Sequence, residues 1–102
     1  MIVRFTQSGG YAGLLKGCEL DTKTLAPEQA EEVEQMVERS GITTSGEFLS
    51  NSSRDLHQYE ITIEDGASKI SVTIDDESIP ESAKPMIGYL KKCSKPKTLE
   101  QS

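Results

Sequence analysis

Gln58–Ile74 reads Q-Y-E-I-T-I-E-D-G-A-S-K-I-S-V-T-I. Tyr59, Ile61 and Ile63 alternate with Glu60, Thr62 and Glu64, and Ile70, Val72 and Ile74 alternate with Ser71 and Thr73. A period of two puts the apolar set on one face of a strand and the polar set on the other. Between the runs, Asp65-Gly66-Ala67-Ser68 carries the Asp-Gly pair that favours a tight reversal. The stretch predicts an antiparallel hairpin with one buried face. Glu60, Thr62, Glu64, Ser71, Thr73 and Asp75 then form its wet face.

Working outward, the segment before the hairpin, Ile42–His57, is rich in Ser, Thr and Asn and has no clean period. It reads as an irregular connection anchored by Phe48 and Leu49, either a plain connector or a functional loop. Upstream of it, Pro27–Ser40 has helical spacing. Ala30, Val33 and Val37, with Met36, mark an inward stripe, and Glu31, Glu32, Glu34, Gln35 and Glu38 mark a solvated one. Pro27 suits the first helical position and Gly41 the position after the last turn. After the hairpin, Ala83, Met86, Ile87 and Leu90 recur at helical spacing, so a final helix is expected over Lys84–Lys92, with a loose first turn near Pro80 and Pro85. The acidic run Asp75-Asp76-Glu77 is read as favourable charge at the positive end of that helix.

At the other end of the chain, Met1–Gln7 alternates Val3 and Phe5 against Arg4 and Thr6, and Leu14–Leu20 supplies a second strand. Gly17 within it predicts a bulge or a close backbone approach. Between these strands lies Ser8-Gly9-Gly10-Tyr11-Ala12-Gly13-Leu14, with three glycines in five residues from Gly9 to Gly13. Glycines there permit a tight reversal with little side-chain bulk apart from Tyr11. The element order is strand, strand, helix, strand, strand, helix. Short connections make each strand pair antiparallel, so the expected fold is α+β: a four-stranded antiparallel sheet with two helices on one face, in ββαββα order. Residues 1–94 form the single domain, and residues 95–102 are expected to be a flexible polar tail.

With 102 residues, 34% of them hydrophobic, one modest core is expected. Eleven basic against seventeen acidic residues give a net charge of −6, which disfavours nucleic acid and suits a partner with a basic rim. There is no secretory apolar region and no long apolar run, so the expectation is a soluble, cytoplasmic monomer that does not associate with membranes. Cys18 and Cys93 are expected as free thiols.

The side chains needed for catalysis are missing. His57 is the only histidine, and the two cysteines are 75 positions apart, so neither a nucleophile–base pair nor a familiar zinc spacing exists. Asp75, Asp76 and Glu77 lack the ligand spacing of a calcium loop. Ser8-Gly9-Gly10 has the makings of a phosphate nest, but it leads into a strand and no basic residue follows directly. No enzyme activity, cofactor or metal is expected. Binding is what remains, and the glycine loop is either turn chemistry alone or a narrow finger able to enter a cleft.

Arg4–Leu15, the Leu25-Ala26-Pro27-Glu28 helix start, Gln58-Tyr59-Glu60 and Ile79-Pro80 together resemble the emfourin family in order and spacing over roughly Ile2 to Leu90. Emfourins are small protein inhibitors of thermolysin-like zinc metallopeptidases such as protealysin. The resemblance implies the same α+β arrangement, a metallopeptidase partner and a reversible block of its cleft. The matching motif is Ser8, Gly9, Gly10, Ala12 and Gly13, with Tyr11 at an aromatic position and Leu14 suited to a hydrophobic primed-side pocket. Ser8 and the carbonyls of Gly9–Gly13 are the oxygens best placed to approach the partner's zinc. Two departures stand out: Gln7 occupies a position where a basic residue is expected, and Thr43–Arg54 is poor in proline. The competing reading is an interaction module that uses a sheet face or edge and inhibits nothing.

Overall fold

The computed structural model describes residues 1–9, 15–49 and 57–97. The strands are β1 (Ile2–Gly9), β2 (Leu15–Asp21), β3 (Gly46–Phe48), β4 (His57–Asp65), β5 (Ser68–Asp75) and β6 (Lys95–Lys97). Helix α1 is Pro27–Arg39; a 3₁₀ turn, Glu81–Ala83, leads into α2, Lys84–Cys93. The strands form one sheet in the order β3-β5-β4-β1-β2-β6. The expected four strands are its centre, β5-β4-β1-β2, all antiparallel.

The sheet is wider than the expected four-stranded antiparallel one, because a short strand is added at each edge. β3 pairs with β5 in parallel, so the sheet is mixed and the ββαββα order gains a strand before β4. Three residues without alternation carry no periodic signal, which is why β3 is hidden in the Ser/Thr-rich segment. At the opposite edge, β6 pairs antiparallel with β2 through Leu15↔Lys97, Lys16↔Pro96 and Gly17↔Lys95. Residues 95–97, expected to begin a flexible tail, are a strand instead. Pro96 lacks an N–H, which an edge strand tolerates and a central strand does not.

Register explains the core. Val3 and Phe5 of β1, Tyr59, Ile61 and Ile63 of β4, and Val72 and Ile74 of β5 are all buried on one face. The helices cover that face, with Val33 and Val37 from α1 and Met86, Ile87 and Leu90 from α2. Burying an aliphatic or aromatic side chain of this size contributes about 1.5–3 kcal/mol, so these core residues supply the main drive for folding. α1 ends as expected: Ser40 keeps helical geometry, and Gly41 takes a φ of +74°, open to glycine and strained for a side chain.

One of the two alternatives at Gly17 is excluded, and two other local expectations are corrected. No bulge forms at Gly17, since the β1–β2 register runs without a break from Ile2↔Asp21 to Gln7↔Lys16. Gly17 is buried between β1 and β6. The hairpin reversal uses Gly66-Ala67 as its central pair, with Asp65↔Ser68 closing the ladder. Gly66 has φ +62° while Ala67 does not have positive φ, the II′ pattern with glycine first. Asp75, expected in water, is only 3% exposed, and its Oδ1 accepts the Glu77 N–H at 3.0 Å. On the wet face, Arg4 bridges three strands, with Nε 2.6 Å from Glu19 and an Nη 2.8 Å from Glu64. These two carboxylates raise the Arg4 pKa, the hydrogen bond to Glu64 most of all. Neither cysteine is in a disulfide, and Cys18 Sγ donates to the Leu90 carbonyl at 3.6 Å.

Candidate functional site

The glycine loop leaves the sheet from its centre. β1 is flanked by β4 and β2, and its last two residues pair with β4 as Ser8↔Gln58 and Gly9↔His57. The return strand begins at Leu15, which pairs with Lys97 of β6. Ser8 and Gly9 are thus fixed in the ladder, whereas Gly10, Tyr11, Ala12, Gly13 and Leu14 lie outside the described residues. Gln7, the expected gap in positive charge, faces Lys16 across the strand pair, so a lysine stands beside it.

The same end of the sheet carries other features. β3 runs parallel to β5 with Phe48↔Ile74, so Phe48 and Leu49 emerge near the end of β5, at the loop end of the molecule. Rather than anchoring the segment in the core, they are 48% and 41% exposed. Of Thr43–Arg54, residues 50–54 lie outside the described set.

A cluster at the start of β4 is the feature that sequence reasoning missed. The Asp76 carboxylate takes the His57 backbone N–H on Oδ2 at 3.0 Å, meets His57 Nδ1 at 3.3 Å, and accepts the Tyr59 hydroxyl on Oδ1. Tyr59 is fully buried and stacks on Phe5 with centroids 5.8 Å apart; Lys91 Nζ lies 4.7 Å from its ring centre. Burial raises the Tyr59 pKa, and the adjacent Asp76 carboxylate raises it further. Burial alone would raise Asp76 too, but the hydrogen bonds from Tyr59 and His57 outweigh it and hold Asp76 below its ordinary value. The expected role of Asp76 at the positive end of α2 gives way to this one: its partners are on β4, and the helix starts only at Lys84. The single sequence signal was a lone buried-type tyrosine heading β4, with a carboxylate just past the end of β5.

A carboxyl with a depressed folded pKa contributes stability above its unfolded value, and that contribution is lost as pH falls through the folded pKa. Denaturant midpoints are therefore expected to fall as pH drops below about 4. Asp76→Asn should cost about 1–2 kcal/mol at pH 7 and flatten that acid-side fall. Chemical denaturation at pH 7 and at pH 3 checks this. An equal acid slope in both proteins would remove Asp76 as its source.

Among the described residues no group of three or more His, Cys, Asp or Glu side chains is placed to hold a metal ion. No helix among them is long and apolar enough to cross a membrane. What the site offers is two paired strands, β1 and β2, at whose ends the glycine run begins and finishes, with Phe48 and Leu49 exposed three strands away at the same end of the sheet. None of the curated proteins and none of the solved structures matches this chain. The emfourin family model, in contrast, matches residues 5–91, from β1 to within α2 and including the whole glycine loop. The chain belongs to the emfourin family, inhibitors of protealysin-type metallopeptidases.

Proposed function

We propose that this protein is a reversible inhibitor of a thermolysin-like zinc metallopeptidase and that Ser8–Leu14 occludes the active-site cleft. Family membership carries the target class. The pairing of Ser8 and Gly9 with β4, and of Leu15 with β6, supports the site. A loop whose ends are preordered loses less entropy on binding, and a protein held rigidly in a cleft is cut slowly. Within this reading Tyr11 is the anchor, since buried aromatics commonly dominate interface energy. Leu14 fills the apolar primed-side pocket, and Ser8 with the neighbouring carbonyls faces the partner's zinc. The net charge of −6 steers the protein toward a basic rim.

A second reading, an adaptor without inhibitory action, draws on the exposed Phe48 and Leu49 beside the open edge of β3. Titrating this protein into a thermolysin-like peptidase cleaving a peptide substrate separates the two. Saturable, competitive inhibition that weakens at least tenfold in Tyr11→Ala is expected of the cleft inhibitor. No inhibition across several such peptidases would hand the case to the adaptor. Equal inhibition by Tyr11→Ala would keep the target and move the anchor elsewhere.

A further inference from the structure

We infer that Asp76 is a positioning residue for the glycine loop, acting through the first residue of β4. Its consequence for inhibition rests on the reading just given. In an antiparallel ladder, residues alternate between pairs that exchange backbone hydrogen bonds and pairs that do not. The His57 N–H points to Asp76, on the β5 side, so Gly9↔His57 is a pair without backbone bonds. Ser8↔Gln58 is then the last bonded pair before the loop. On the β5 side the ladder stops at Gln58↔Asp75. There the Asp76 carboxylate takes the place of the next backbone acceptor and extends the β4–β5 ladder by one residue.

The same carboxylate accepts the Tyr59 hydroxyl, and Tyr59 is locked in the core against Phe5. Asp76 therefore ties the end of β4 to a fully buried, stacked ring. Without that tie, His57 and Gln58 would fray as strand ends do, and Ser8 and Gly9 would lose the partner that sets the direction in which the loop departs. Asp76 touches nothing in the partner by this account. It keeps β1 extended as far as Gly9.

Amide hydrogen exchange of the free protein and inhibition constants, both measured well below each variant's melting temperature, test the inference. Asp76→Ala should speed exchange at Ser8 and Gln58 about tenfold while Arg4 and Thr62, a bonded pair farther along the same ladder, stay near wild type. Its inhibition constant should rise about tenfold. Tyr59→Phe, which keeps the ring and removes only the hydroxyl, should shift both in the same direction by less, and it carries the test if Asp76→Ala does not fold. Val37→Ala, destabilised under α1, should leave the inhibition constant unchanged. Uniform exchange along the ladder in Asp76→Ala, or selective exchange with an unchanged inhibition constant, would overturn the positioning role. If wild type inhibits nothing, the inhibitory reading fails by itself, and the exchange pattern still decides whether Asp76 holds the strand end.

Discussion

Phe5→Ala is expected to destabilise the protein by about 3–5 kcal/mol, the cost typical of removing a buried aromatic ring. β1 is central in the sheet, and Phe5 is fully buried there, paired with Cys18 on one side and Ile61 on the other. Its ring stacks on Tyr59 at an interplanar angle of 16°, so truncation also leaves Tyr59 without its neighbour. The chain has few aromatics, 5% of its residues. A domain of this kind has about 5–15 kcal/mol to lose, so the variant should sit near the edge of folding at 25 °C. A urea titration checks it: the midpoint should fall steeply with little change in slope, because the surface exposed on unfolding is nearly the same. A loss under about 1 kcal/mol would mean that the sheet face collapses around the gap, and that the Phe5–Tyr59 stack does not organise the core.

The centre of the sheet was legible because its residues repeat. Tyr59, Ile61 and Ile63 alternate over enough positions to fix which face is buried, and register then carries that face to Val3 and Phe5. The helices were legible for the same reason, at the other period, and Gly41 punctuates α1 where only glycine sits at ease. What was not legible lacks a repeat. β3 and β6 are three residues each, and neither strand announces itself; they exist because an open edge of a formed sheet offers backbone partners. Asp75 and Asp76 stand side by side in the sequence, yet one is buried at the end of β5 and the other reaches across to β4. No spacing rule relates Asp76 to Tyr59 and His57, since their approach is set by the pairing of β4 with β5. At the candidate site, the glycine run is a signal of the sequence alone, and family membership gives the class of inhibitor without naming the residues that act. The clamp at its base was visible only in three dimensions.

Gly10→Trp is expected to weaken inhibition by at least about 100-fold while leaving the fold intact. The reasoning starts from the ends of the loop. Gly9 is held against β4 and Leu15 against β6, so only Gly10–Leu14 span the turn from one strand to the next. In a cleft fitted to a loop with almost no side-chain bulk, the added ring would keep the backbone away from its partner. Changes at the centre of an interface commonly cost 2–4 kcal/mol, and each 1.4 kcal/mol is a factor of ten in affinity. In the sequence Gly10 falls between the end of β1 and the start of β2, and for a substitution between strands the melting temperature should change by no more than a few degrees. Inhibition kinetics and thermal melts on the same preparation read both halves. A folded Gly10→Trp that inhibits like wild type would exclude the glycine loop from the cleft. The exposed flank formed by Phe48 and Leu49, at the same end of the sheet, would then be the surface to mutate next.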